Sequence, residues 1–345
     1  MSASPLDIIV FAPLAPIFGM LLFWFIQLLF IESQKYMLSG ISKEHEPFIR
    51  FTNFIGIFFQ TVCHALGYTV TKHGISEFYI GVHYGKVAPK KNKTGLFEWL
   101  SNGFLFLGPF FIPSFLLLIC LIFLLNNGFI FYPLESYTFS ENMIVFGNNI
   151  FHFSYSFFSF LATIDFMHPG HFGFFIMFIL LGLGIRPSYI GEKTVKKVDI
   201  FYDLKNIRYK LLHKPLYIVF FLLSAYIFSY LSVLFNLNWY VGLFSLFGWL
   251  SIIAITALFF AHIFIFLIKV TDLIPGTFRY ISLMLFPVSY VILRILFFLV
   301  PIPYITTISL LLSIIITSGL IILFLHSLTN TFKFSEPMKS HKKSK

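Results

Sequence analysis

Charged residues are scarce in this chain and make up 11% of its 345 positions. Soluble domains carry about 25% charged residues. Hydrophobic residues reach 58% and the mean hydropathy is +0.88, which is more apolar side chain than a water-soluble fold of this length could bury. The shortage of charge excludes a soluble globular protein. It predicts an all-α polytopic integral membrane protein, because helices satisfy their own backbone hydrogen bonds in lipid.

Cysteine is also scarce, with Cys63 and Cys120 as its two occurrences, both in apolar runs. They exclude a disulfide framework and a cysteine-rich zinc site. The net charge of +10 is concentrated in short segments between apolar runs, a pattern typical of membrane orientation and headgroup contact. We therefore expect the lipid bilayer as a partner, together with another membrane protein, and no nucleic acid.

Long apolar runs are abundant, and a spanning helix needs about 20 mostly apolar residues. The sequence predicts about seven to nine membrane segments, one of them re-entrant or broken. Residues 143–185 should form two helical pieces, because Pro169 and Gly170 interrupt the run. The other strong candidates are 8–30, 103–125, 216–235, 239–268, 280–300 and 304–325.

Composition divides the chain into an N-terminal membrane anchor, a membrane core, a C-terminal helical membrane bundle and a basic polar tail. Their predicted bounds are 1–30, 45–215, 216–328 and 329–345.

Basic residues in the loops 32–50 and 71–102, in 186–214 and in the tail predict that these segments face the cytoplasm, and with them the C-terminus, while the N-terminus lies outside. The loop 126–142 has acidic residues and no basic one, which places it on the opposite side. The polar segment 51–70 then either re-enters the membrane or departs from the charge rule.

Polar residues inside apolar runs are functional candidates, because they are expensive in hydrocarbon. Gln60 and His64 are four residues apart on a predicted helix and share one face, a spacing at which two side chains can hold one metal ion. Glutamine is a poor zinc ligand. A polar patch packed against another helix is the simpler interpretation.

A second polar group contains Asp165, His168 and His171. Together with His64, these residue types could complete a zinc site. Alternatively, His168 caps the helix that starts at Pro169, and Asp165 lies beside a cation. Arg294 stays charged at any working pH, so we expect it either to pair with Asp165 or to extend toward the membrane surface.

Three motifs follow one another in an order that resembles the site-2 proteases, which are intramembrane zinc metalloproteases. They are the polar segment 60–66, an extended stretch 75–87 with Gly81 and Gly85, and Leu107-Gly108-Pro109 at the opening of an apolar helix. In that family a membrane helix carries His-Glu-x-x-His, a partly extended loop follows, and a small-Gly-Pro motif opens the next helix. The resemblance covers roughly residues 45–215.

The motif itself is degenerate in this chain. Its five positions hold Gln60, Thr61, Val62, Cys63 and His64, so only the last histidine is retained. The family's glutamate acts as general base on a zinc-bound water, and Thr61 cannot accept that proton near neutral pH. The family's third ligand is an aspartate, whose nearest analogue here is Asp165, in a different order relative to Pro169 and Gly170.

The resemblance therefore implies a scaffold without catalytic residues and without an obligatory cofactor. We expect it to bind a membrane segment, a lipid or a partner subunit in an intramembrane cavity. Two alternatives stay open at this point. One is an active zinc metalloprotease that uses His64, Asp165 and His168 as ligands. The other is a transporter or a structural subunit of a membrane complex, with the broken helix near Pro169 lining a path.

Overall fold

The structure is a computed structural model that describes most of the chain. The described residues are 4–41, 45–91, 94–125, 129–185, 205, 208–209, 213–271, 278–298 and 304–334. The lysines of the predicted tail beyond residue 334 and most of the basic segment 186–214 lie outside the described residues.

Within these residues the fold is helical apart from one hairpin, as the sequence predicts. A π-helical turn, Asp7–Phe11, precedes the first α-helix. The helices are α1 (Leu14–Ser39), α2 (Glu46–Val70), α3 (Leu96–Leu124), α4 (Phe139–Ala162), α5 (Pro169–Gly184), α6 (Pro215–Leu234), α7 (Trp239–Thr271), α8 (Phe278–Phe297) and α9 (Ile305–Phe334). Strands β1 (Ile75–Ile80) and β2 (Gly85–Pro89) form an antiparallel hairpin between α2 and α3, which confirms the predicted extended segment.

The protein is a multi-pass membrane protein. Twenty helical residues rise about 30 Å, the thickness of the hydrocarbon layer. Among the described residues, five helical segments are long and apolar enough to cross it: Asp7–Ser39, Leu107–Leu124, Pro215–Leu234, Trp239–Thr271 and Ile305–Phe324. Pro169–Gly184 and Met284–Phe297 are shorter apolar helices.

The break predicted near Pro169 is confirmed, since α4 ends at Ala162 and α5 begins at Pro169. The polar segment 51–70, which the charge pattern left open as re-entrant, lies in the unbroken helix α2. Helix α1 continues to Ser39, past the predicted end of the anchor at residue 30. Its charged residues there are packed inside the protein, so they do not end the helix.

The described chain divides into two compact units. The first combines Met1–Leu161 with Phe166–Ile265, and the second combines Ala162–Asp165 with Phe266–Lys345. In the first unit α2 packs against α3, α5 and both strands of the hairpin. In the second unit α8 packs against α9, and the hydroxyls of Ser289 and Thr317 lie 3.5 Å apart across that contact. The predicted domain bounds stay predictions.

An aromatic and aliphatic core fills the first unit. The indole of Trp249 on α7 stacks on Phe131 and Phe153, with ring centroids 4.8 and 5.1 Å away. In the same unit, α5 and α7 approach each other closely. A methyl group added at Gly182 of α5 would meet the backbone of Ala257 of α7, with the carbonyl carbon only 2.7 Å away. Small residues at a helix crossing let two backbones touch, which is how helices associate without a hydrophobic driving force.

This close approach predicts that Gly182→Ala separates α5 from α7 and lowers the free energy of unfolding by about 1–3 kcal/mol. The matched control is Gly173→Ala on the same helix, where an added methyl group meets nothing within 4 Å. That control should be neutral or stabilising by up to about 1 kcal/mol, because alanine is the better helix former. Unfolding in detergent micelles measures both. Equal effects of the two substitutions would contradict the close approach.

Candidate functional site

The degenerate motif lies on α2, with its side chains divided between two environments. Thr61 and Cys63 are buried, whereas Gln60 and His64 are half-buried. The last two share a helix face, as their spacing predicts. The motif therefore presents an amide and an imidazole on one face, and a hydroxyl and a thiol to the protein interior.

Thr61, which the resemblance aligns with a general base, is enclosed by the structure. Its side chain is 4% exposed, and its hydroxyl donates a hydrogen bond of 2.6 Å to the carbonyl of Ile57. The hairpin covers it at Gly85, where an added methyl group would collide with Thr61 Oγ1 and lie 2.9 Å from Ile57 Cγ2. The hydroxyl proton is thus committed to the backbone, and β2 fills the space beside it.

The Gly-Pro motif of α3 packs on the same stretch of α2. A methyl group added at Gly108 would lie 3.0 Å from the Cβ and 3.1 Å from the Sγ of Cys63. Cys63 is a free, fully buried thiol. One turn further along α2, Gly67 is equally close to Phe104 of α3. The motif helix, the hairpin and the Gly-Pro helix thus form one packed group in the order in which they occur in the sequence.

The hairpin that covers this group is polar at its surface. Lys86 pairs with Glu77 at 2.7 Å, and the hydrogen bond to that carboxylate raises the pKa of Lys86. Both side chains are more than half exposed, so the pair contributes little to stability.

The candidate zinc ligands are not assembled into a metal centre in the described part of the chain. No group of three His, Cys, Asp or Glu side chains among the described residues is placed to hold a metal ion. The zinc set of His64, Asp165 and His168 stays a prediction.

His168 has the capping role that the sequence analysis considered. Its Nδ1 accepts a hydrogen bond of 3.4 Å from the backbone N–H of His171, and Pro169 occupies the first turn of α5. The two imidazole centroids are 4.6 Å apart. Cap geometry therefore accounts for the spacing of these two histidines.

The second unit contains the expected ion pair. Arg294 Nη2 lies 3.1 Å from Asp165 Oδ1, and the two side chains are 15% and 38% exposed. The hydroxyl of Thr307 on α9 donates to the carbonyl of Ala162, so α8 contacts Asp165 and α9 contacts Ala162 within the short segment 162–165 of this unit. Arg294 thus meets a carboxylate instead of extending alone to the membrane surface.

Sequence reasoning missed a buried polar face on α1. Gln27 donates to the carbonyl of Phe110 at 2.9 Å, and Gln34 donates to the carbonyl of Gly182 at 3.1 Å. Lys35 pairs with Glu32 at 3.2 Å, and each side chain is 2% exposed. The signal was present, since Gln27 and Gln34 are seven residues apart and so share a face. This polar face was missed because the charged residues Glu32 and Lys35, which follow an apolar run, were assigned to the loop 32–50.

A second missed feature is a set of tyrosines around the N-terminal segment. The hydroxyls of Tyr226 and Tyr230 on α6 donate to the carbonyls of Val10 and Ile9, and Tyr240 on α7 donates to the carbonyl of Pro13 at 2.5 Å. These bonds satisfy carbonyls at the junction between the π-helical turn and α1. No periodicity in the sequence indicates them.

No protein-family model, curated protein or solved structure matches this chain.

The Asp165–Arg294 pair predicts a coupling in a double-mutant cycle. Asp165→Asn and Arg294→Leu should each lower the melting temperature, and the cycle should give a coupling of about 1 kcal/mol, limited by the partial exposure of Asp165. The matched control is the exposed pair of Glu46 and Arg50, at 2.8 Å, whose coupling should stay below about 0.5 kcal/mol. Additive effects of the first two substitutions would refute the pair.

Because Gly85 packs against Thr61, removing the Thr61 hydroxyl should recover part of the stability that a substitution at Gly85 loses. Gly85→Ala should destabilise the protein by about 1–3 kcal/mol through overpacking, and adding Thr61→Ala should recover part of that loss by removing Oγ1. Gly103→Ala is the control, since an added methyl group there meets nothing within 4 Å. Thermal unfolding of the wild type, the two single variants, the double variant and the control measures the effect. Additivity of the two substitutions would mean that the hairpin does not rest on Thr61.

Proposed function

We propose that this chain is a non-proteolytic membrane protein with a site-2 protease-like core, which binds a membrane segment, a lipid or a partner subunit. The observation that carries the proposal is the state of Thr61. A zinc-dependent hydrolase needs a carboxylate or another base beside its bound water. Here the corresponding side chain is a hydroxyl that donates to Ile57 and is covered by Gly85.

Architecture supports the family part of the proposal. The helix with the degenerate motif, the hairpin and the Gly-Pro helix are in mutual contact, through Thr61 with Gly85 and Cys63 with Gly108. That is the order in which the family's motifs occur. The packing also explains why glycine stands at 85 and 108, since a side chain at either position would push the hairpin or α3 away from α2.

Binding is supported by the outer face of α2. Phe51, Phe54, Phe58 and Leu66 are exposed on it, while the opposite face packs on α3, α5 and the hairpin. This face is apolar and spaced as one helical stripe. A membrane segment, a lipid or a partner subunit would contact it.

Orientation belongs to the same proposal. Lys214 Nζ lies 3.3 Å from Glu98 Oε2, which brings the starts of α3 and α6 to one end of the first unit. Both helices follow basic segments, so that end would face the cytoplasm by the positive-inside rule. By the same rule we propose that the C-terminus, which lies in the basic tail 329–345, is cytoplasmic.

Zinc content and proteolysis test the proposal together. The purified chain should contain far less than one zinc per molecule and should show no chelator-sensitive cleavage of a bilayer-embedded substrate. Stoichiometric zinc that is lost in His64→Ala but kept in His152→Ala, together with cleavage, would establish the protease alternative. Uptake of solutes into vesicles that contain the chain would favour a transporter.

Site-specific photo-crosslinking tests the binding face. A crosslinker in place of Phe54 or Phe58 should capture a discrete membrane component, whereas one in place of the buried Phe59, 5% exposed, should react only within the chain. Equal labelling from all three positions would show that the outer face of α2 is not a binding site.

A further inference from the structure

The exposed face of α4 combines aromatic and aliphatic side chains with one amide. Its exposed large side chains and this amide recur at alternating steps of four and three residues, and they are Ile144, Asn148, Phe151, Tyr155 and Phe158. This is the spacing of the seam along which two α-helices pack side by side. No charged residue occurs between Glu141 and Asp165, so the seam carries no charge.

The amide of this seam, Asn148, lies at the depth of the hydrocarbon layer. Phe146, two residues before it, packs on Gly19 of α1, and Ile150, two residues after it, packs on Gly248 of α7. Both glycines belong to membrane-spanning helices, and each lies about 14–18 Å along its helix from the nearer end of the span. The exposed side of Asn148 in a single chain therefore faces hydrocarbon.

Several other amides of the first unit are buried and bonded where helices meet. Gln27 and Gln34 donate to backbone carbonyls of neighbouring helices, and Asn149 donates to the hydroxyl of Ser245. Asn148, which precedes Asn149 in the chain, is exposed instead, and no described residue hydrogen-bonds to its amide. Because an amide in hydrocarbon is costly unless another helix bonds to it, Asn148 indicates a further helix beside α4.

We propose that α4 packs against α4 of a second copy of this chain, and that the two Asn148 amides bond to each other across the contact. Copies of one chain insert into a membrane in the same orientation, so the two helices run parallel and each seam residue meets its own equivalent. A carboxamide carries both a donor and an acceptor, so it can pair with an identical group. One asparagine in such a seam also fixes the register of the two helices.

Small residues beside the seam allow the two helices to approach closely. Gly147 is exposed next to Asn148, and a methyl group added there meets nothing within 4 Å. Ser154 occupies the equivalent position seven residues later. Small residues at a contact let the backbones of membrane helices come together, which brings interhelical hydrogen bonds within reach. Lipid tails offer no partner for the amide, whereas an identical helix does.

Single-molecule photobleaching of the labelled full chain in phosphatidylcholine vesicles, over a range of protein-to-lipid ratios, tests the proposal. We expect a reversible equilibrium between monomer and dimer. Asn148→Leu should raise the dimer dissociation constant about tenfold, because the interhelical hydrogen bonds are lost. Asn148→Gln should retain most of the affinity, since glutamine also carries a donor and an acceptor. Gly147→Leu should weaken the dimer as well, because its side chain would hold the helices apart.

The matched control is Ser224→Leu on α6, which also replaces an exposed polar side chain in a membrane span by leucine. The hydroxyl of Ser224 donates to the carbonyl of Phe220 in its own helix, so the dimer dissociation constant should not change. Because Asn148 and Gly147 are exposed, their substitution does not threaten the fold of the single chain. A chain that stays monomeric at every ratio, or equal effects of Asn148→Leu and Ser224→Leu, would overturn the proposal.

Photo-crosslinking in the same vesicles locates the contact. A crosslinker in place of Phe151 should give a product of two joined chains, whereas one in place of Phe123 on α3, which is 81% exposed, should react with lipid. Lipid adducts alone from Phe151, or a dimer joined through Phe123, would contradict the contact at α4. The inference goes beyond the proposed function and uses no residue of α2, so the zinc and cleavage experiments can fail without affecting it.

Discussion

The interior of a bilayer offers no hydrogen-bond partners, so a polar side chain that enters it is costly unless it finds one within the protein. The first unit supplies several such partners by joining helices through amide side chains and backbone carbonyls. Gln27 and Gln34 of α1 donate to carbonyls at Phe110 and Gly182. In the middle of α4, Asn149 accepts from the N–H of Tyr132 and donates to Ser245. These bonds fix how the helices pack, because apolar contacts alone distinguish poorly between one helix and lipid.

Interhelical hydrogen bonds and close packing occur at the same places in the first unit. The backbone carbonyls that accept from Gln34 and Trp249 show this. Gly182 receives the bond from Gln34 and is also where α5 touches Ala257 of α7. Trp249 donates its indole N–H to the carbonyl of Asn149 at 3.0 Å while its ring stacks in the core. A side chain at Gly182 would move α5 away from α7 and would shift the carbonyl that Gln34 needs. Packing and hydrogen bonding therefore depend on each other here.

Features set by local sequence could be predicted. Pro169 begins α5 because proline is favoured in the first turn of a helix, and His168 caps that start. The partnership of Asp165 with Arg294 was one of two alternatives that the sequence left open, because a charge in an apolar run either meets an opposite charge or extends to the membrane surface. By contrast, nothing in the sequence marks Ala257 as the neighbour of Gly182. The continuation of α1 through Glu32 and Lys35 was also missed, since their burial depends on helices far away in the chain.

At the candidate site, sequence reasoning could identify the residues but not their environment. A threonine in place of a general base already argued against catalysis. The structure adds that the hydroxyl is bonded to Ile57 and that β2 occupies the adjoining space. Thr61→Glu alone would place a longer, charged side chain against Gly85, so a carboxylate there would first have to displace the hairpin. Under the proposed relationship to the site-2 proteases, a carboxylate at position 61 and the present position of the hairpin therefore exclude each other.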